Sequence, residues 1–204
     1  MHPNVSILIA SIGVFFGSLL AAALAAGLAA HPLVAAATED ARDIAVHVDI
    51  QGEVVRVDVE LMVPASPREV WDVLTDFEHL PRFISNILSS KVLAREGNVV
   101  RVAQSGVAHF GPLNFEFQSE REFTLTPCEK FESRMLSGNM KRFRGTTRLD
   151  VVEGKTRIRY HSEAVPDTAL PVSLGRSLIE AETREHYQEL SREVLRRKSA
   201  ANGK

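Results

Sequence analysis

The sequence predicts an α+β domain: a curved antiparallel sheet of about six to seven strands around one long C-terminal helix, with one or two short helices after the opening strands. Three observations predict it. Runs of alternating apolar and polar residues recur from Ile44 to Ser162. Short separators rich in Gly, Pro and Asn divide most of them, as hairpins require. After Pro171 the apolar period lengthens to that of a helix.

The elements follow in order. Ile44–Ile50 and Val54–Val63 read as strands joined at Gln51-Gly52. In the second, Val55, Val57, Val59 and Leu61 share one face, and Arg56, Asp58 and Glu60 the other. Pro64-Ala65-Ser66-Pro67 stops the strand. Ser66 suits a helix N-cap, Pro67 the first helical position, and Glu69 completes a capping box before Val70, Trp71, Val73 and Leu74. A second short helix is expected over His79–Phe83, interrupted by Pro81.

Six further strand-like runs follow: Ile87–Arg95, Val99–His109, Asn114–Thr124, Phe131–Leu136, Lys141–Val152 and Arg157–Ser162. Neighbours among them should pair antiparallel in sequence order. Their faces follow from alternation. Phe115, Phe117, Ser119 and Phe123 point one way, against Asn114, Glu116, Gln118, Glu120 and Glu122. Phe143, Gly145, Thr147, Leu149 and Val151 alternate with Arg142, Arg144, Thr146, Arg148 and Asp150. Ile158, Tyr160 and Ser162 alternate with Arg157, Arg159, His161 and Glu163. One face is apolar with small and hydroxylic breaks; the other is laced with Arg and Glu, as cross-strand pairs on a solvated surface would be.

Leu174–Arg197 reads as the long helix, with Leu178, Ile179, Thr183, Tyr187, Leu190 and Val194 in a stripe. It is the element large enough to cover the apolar face of the sheet. Residues 199–204 read as a flexible tail. Gly106, Ala108, Ser119 and Gly145 are small on the inward face, which leaves volume for an apolar cavity with a few polar groups, a common form of ligand site. The alternative is that neighbouring side chains fill it.

The first 37 residues are a separate object. All 24 Lys and Arg and all 26 Asp and Glu lie beyond residue 38, and Val5–Ala30 carries no charge. The run is long enough to span a membrane. Ala35-Ala36-Ala37 also fits the small residues of a signal-peptide cleavage site. Cleaved signal and uncleaved anchor both stay open. Either most naturally exports the domain, to the periplasm or to the extracytoplasmic side of a membrane. Residues 38–43 then form a linker to a folded domain over 44–198.

The net charge of −2 shows no basic excess, which argues against a nucleic-acid partner. Cys128 is the only cysteine, so no intrachain disulfide and no cysteine metal cluster can form; a buried or half-buried apolar role is expected. The seven histidines make no metal-ligand spacing. No phosphate loop, dinucleotide fingerprint or nucleophile elbow occurs, so neither metal nor cofactor is expected.

The stretch VPASPREVWDVLTDFEHLPRFISNI resembles the opening of the START-like superfamily of polyketide cyclases and lipid-transport proteins. RFRGTTRLDVVEGKTRIRYHSEA resembles the last hairpin of that superfamily, and LPVSLGRSLIEAETREHYQELSREV its C-terminal helix. The resemblance covers about residues 44–197 and is strongest to the branch named for coenzyme Q-binding proteins, cyclase/dehydrases and the ribosome-association toxin. It implies a helix-grip fold and a hydrophobic cavity, but no single activity. Where the last hairpin often shows Trp, this chain has Thr147.

A hydrophobic small molecule (lipid, quinone or polyketide-like) is the expected partner, with a membrane surface or anchor alongside. The expected lining is Phe83, Gln104, Phe110, Phe115, Phe117, Ser119, Phe143, Thr147 and Tyr160. Inward ionisable residues are scarce, which favours a binder over an enzyme. A cyclase or dehydratase would use Tyr160 to polarise a carbonyl. An interaction module with a closed cavity is the third reading.

Overall fold

The structure, a computed structural model, describes residues 44–110, 113–167 and 175–203, leaving aside the side chains at 108–110, 113 and 115. The N-terminal apolar run lies outside the described residues. Among the described residues no helix is long and apolar enough to cross a membrane.

The strands are β1 (Ala45–Gln51), β2 (Val54–Val63), β3 (Ile87–Glu96), β4 (Val99–Phe110), β5 (Leu113–Thr126), β6 (Lys130–Gly138), β7 (Met140–Val152) and β8 (Lys155–Pro166). Helix α1 (Pro67–Leu74) and a 3₁₀ helix (Phe77–Arg82) follow β2, and α2 (Arg176–Asn202) closes the chain. All eight strands join one antiparallel sheet in the order β1-β2-β8-β7-β6-β5-β4-β3. The count exceeds the six to seven expected because both N-terminal runs enter the sheet together with all six later ones. Strands β3 to β8 pair in sequence order. The β1–β2 hairpin instead docks on β8, so α1 and the 3₁₀ helix carry the chain from one side of the sheet to its far edge.

Local chemistry sets the crossing. Glu69 N–H donates to Ser66 Oγ at 3.3 Å, and Glu69 Oε2 accepts from Ser66 N–H at 2.7 Å, which completes the capping box. Pro81 sits within the tight 3₁₀ turns. Thr156, fully buried, donates its hydroxyl to the Ala65 carbonyl at 2.7 Å and fixes the strand end beneath α1.

Helix α2 runs through Asn202, so residues 199–202 are helical rather than frayed; Ala200 and Ala201 are strong helix formers and Gly203 ends the run. Arg184 and Arg176 on its first half donate to the carbonyls of Ile44 and Val48 at edge strand β1. At the opposite edge, β3 carries two register shifts against β4. Cys128 is half-buried against the core in the β5–β6 turn, at a positive φ of 60°.

Candidate functional site

The space between sheet and helices divides into two regions. Beneath α1 it is filled. Trp71 and Phe131 meet at 6.1 Å between ring centroids, Phe123 and Phe131 at 6.0 Å, and Phe77 and Phe123 at 4.7 Å. Val70, Leu149, Ile158, Leu190 and Val194 are buried around them.

Beneath the first half of α2 the composition changes. Along β5, Phe117, Ser119, Arg121 and Phe123 occupy alternate positions and share the inward face, because each lies opposite an inward residue of β4: Gly106, Gln104, Val102 and Val100. Arg121 therefore points into the molecule. Arg95 on β3, opposite the inward Val100, is exposed, whereas Arg121 is half-buried, and sequence reasoning missed it. The alternation that placed Phe117, Ser119 and Phe123 inward also contained Arg121, but its setting between Glu120 and Glu122 hid it in the charged set.

Arg121 donates to Gln104 Oε1, and Gln104 Nε2 donates to Ser90 Oγ at 3.2 Å. Its guanidinium carbon lies 5.3 Å from the Phe143 ring centre and 5.8 Å from that of Phe123. No carboxylate pairs with it among the described residues. Its Nε, and the hydroxyl of Ser119 two residues away on the same face, are buried without a partner. Tyr160 on β8, opposite Thr147 and Val59, lies within electrostatic reach of Arg121 and is hydrogen-bonded to Ser162. Its ring centre is 5.9 Å from that of Tyr187 on α2, which is 5.5 Å from His186.

Burial decides the protonation states. It opposes charge on the Arg121 guanidinium and lowers its pKa, though an arginine stays protonated at any physiological pH. It raises the Tyr160 phenol, and raises Tyr187 further. It lowers His186 to about 4, with the nearby positive charge of Arg121 acting in the same direction and Glu189 in the opposite one. At neutral pH this region thus holds two neutral phenols, a neutral imidazole and one positive charge.

Arg121, Tyr160 and His186 are surrounded deeply enough for strong desolvation, yet each keeps part of its own surface accessible. These half-buried, strongly desolvated side chains are the candidate site. The scarcity of inward ionisable groups expected from sequence is corrected here by Arg121 and His186.

The other expected lining residues separate. Gln104, Ser119, Phe117, Phe143 and Tyr160 gather around Arg121 or on its sheet face. Thr147 is 2% exposed, wedged between Phe131 and Tyr160 on the flanking strands, so the small side chain here is packed. Phe83 lies away from this group, beneath Arg197 at 5.3 Å and beside Glu189, Arg192 and Arg196 in a shallow surface groove. The side chains of Phe110 and Phe115 lie outside the described set. The inward glycines do not leave the volume expected of them. A Cβ on Gly106 would meet the Asn86 carbonyl at 2.0 Å and the Phe117 ring at 2.5 Å; one on Gly145 would meet Ser133 Oγ at 3.0 Å. They admit close neighbours instead.

A depression of about 630 Å³ crosses β1, β2, β8 and β7; its lining joins His47, Asp58, Glu60, Arg148, Arg159 and His161 of the outward face with Tyr160 and with Arg184 of α2. Of these, His161 meets Asp58 at 2.7 Å and Arg159 meets Asp150 at 2.7 Å. Arg56–Glu163 at 2.9 Å and Arg134–Glu122 at 2.8 Å extend the pattern across the sheet. These half-exposed pairs are a solvated sheet surface, where ion pairs contribute little to stability. The uncompensated inward charge marks the candidate site.

An open antiparallel sheet gripping one long helix is the helix-grip architecture. The chain belongs to the family described as polyketide cyclase/dehydrase and lipid transport, which matches residues 63–189, more than half its length. Membership points to a hydrophobic small molecule as ligand. Among solved structures it is similar to a STAR-related lipid transfer protein from Xanthomonas axonopodis (15% identity, 77% of this chain and 96% of that one, TM-score 0.61). It is also similar to the Zhui aromatase/cyclase from Streptomyces sp. R1128 (18%, 72% and 98%, TM-score 0.60). A protein from Thermus thermophilus is similar too (22%, 72% and 98%, TM-score 0.59). At these identities the likeness establishes the helix-grip fold. No curated protein matches the sequence.

Proposed function

We propose that this protein binds and carries a hydrophobic small molecule in the cleft between the sheet and α2, on the extracytoplasmic side of a membrane. The observation that carries the reading is the set of three strongly desolvated side chains, Arg121, Tyr160 and His186, that nevertheless keep accessible surface. Phe117 and Phe143 supply apolar wall, and Gln104 and Ser119 supply polar anchors. The long uncharged N-terminal run supports the placement beside a membrane, where such ligands partition.

Native mass spectrometry of the full chain, followed by organic extraction, tests this. A co-purifying lipophile is the expected result. An empty protein that also ignores lipid and quinone probes would overturn it.

A cyclase or dehydratase reading draws on one specific observation, the placement of Tyr160 beside Arg121. A phenol that keeps its proton can donate to a ligand carbonyl, and a neighbouring guanidinium can stabilise the enolate that forms. Tyr160→Phe separates the two. Carriage leaves ligand affinity nearly intact, whereas the enzymatic reading requires turnover to collapse.

A further inference from the structure

A buried guanidinium without a counter-anion is costly, because desolvation removes the hydration that stabilised the charge and nothing of opposite sign replaces it. At Arg121 the compensation is incomplete. One amide oxygen from Gln104 and two aromatic faces, Phe123 and Phe143, take part of the guanidinium; Nε takes nothing. The acidic residues on the facing stretch of α2 are directed elsewhere: Glu189 accepts from Ser85 N–H at 2.9 Å and Glu182 from the Asn86 amide at 3.2 Å. The aromatic neighbours cannot supply the missing charge, since burial holds Tyr160 and Tyr187 in their neutral forms. Beside Arg121 on the same face stands the second unpartnered donor, the Ser119 hydroxyl, in a residue only 9% exposed.

We infer that the ligand of this cleft is a carboxylate-bearing amphiphile, its acid group seated on Arg121 and Ser119 and its apolar part along Phe117 and Phe143. The inference rests on the function proposed above and deepens it by naming the ligand's chemical class. A carboxylate accepts from the guanidinium and from the hydroxyl at once, which satisfies both orphan donors and cancels the buried charge. A neutral carbonyl would satisfy a donor but leave the charge. A dianionic phosphate would over-compensate a single guanidinium and bury a net negative charge. The match in valence selects a monoanion.

The test is a binding titration of the full chain at pH 8 with laurate, methyl laurate and dodecanol, with 1-naphthoate and naphthalene as an aromatic pair. The expected result is that an acid binds at least about tenfold more tightly than its neutral counterpart. Whether laurate or naphthoate shows it distinguishes an acyl chain from a fused-ring ligand. Arg121→Gln is expected to abolish the preference, and Arg121→Lys to keep part of it. Equal affinity of acid and neutral partner for the unmodified protein overturns this inference and leaves the carrier reading standing. Absence of binding by every probe overturns both. The decisive comparison uses the unmodified protein, so a folding defect in a variant does not obscure it.

Discussion

The two ends of the space under the helices are built from the same strands and serve opposite purposes. On β5, Phe123 belongs to the tilted and edge-on aromatic cluster with Phe77 and Phe131, while Arg121, one step along the same face, stands in the candidate site. On β8, Ile158 is fully buried, and Tyr160, its next inward neighbour, keeps accessible surface. A shift of about 7 Å along a strand thus separates packed core from the proposed binding site. Stability and function are allotted to different stretches of the same elements, so substitutions in one should leave the other largely intact.

The largest expected effect tests that division directly. Phe131→Ala removes a ring 8% exposed from the packed end and should cost about 3–5 kcal/mol in chemical denaturation. Phe143→Ala, on a half-buried ring at the cleft, should cost less than half as much. Equal losses would mean that the cleft is packed as tightly as the core.

The second effect is specific to the cleft. His186 has a folded pKa of about 4 against an ordinary 6.5, so the unfolded chain binds the proton first. Its contribution is complete above pH 6.5 and is lost as pH falls towards 4, by up to about 3 kcal/mol. Denaturation midpoints measured from pH 7 to 4 should fall in the unmodified protein and fall less in His186→Gln. Parallel curves would place His186 outside the buried region. Below pH 4 a separate loss begins at the packed end. There Arg196 and Arg197 at 2.7 Å hold the Glu193 carboxylate down to about 2, and its stabilisation fades as pH falls from the usual carboxylate range towards that value.

The smallest effect is local to the packed end. Ser66→Ala removes the capping box of α1 and should lower stability by about 1 kcal/mol without altering ligand affinity. A change in affinity would show that α1 reaches the cleft.

Much of this division was legible in the residues, and the misses have physical causes. Alternation gave every strand and the faces of β2, β5, β7 and β8, apart from Val151, which is exposed, and Ser66, Pro67 and Glu69 gave the start of α1, because these signals are local. The docking of β2 on β8 is non-local and left no mark in either strand. Gly106 and Gly145 were read as empty space because a sequence shows a missing side chain but not the Phe117 ring or the Ser133 hydroxyl that uses the room. Arg121 was concealed by its glutamate neighbours, although the parity of Phe117, Ser119 and Phe123 already pointed it inward. His186 carries no strand parity. Its burial depends on which flank of α2 meets the sheet.

The arginines that tie α2 to β1 join two otherwise separate matters. An open sheet offers its border strands as templates for pairing with another chain. At the β3 border, two register shifts make that template irregular. At the β1 border, Arg176 and Arg184 occupy carbonyls that an incoming strand would need. Both arginines lie on the half of α2 that roofs the cleft. A helix that lifted to admit a bulky guest would also strip the guard from that border, leaving an unloaded, opened molecule the one most prone to stick to its own kind.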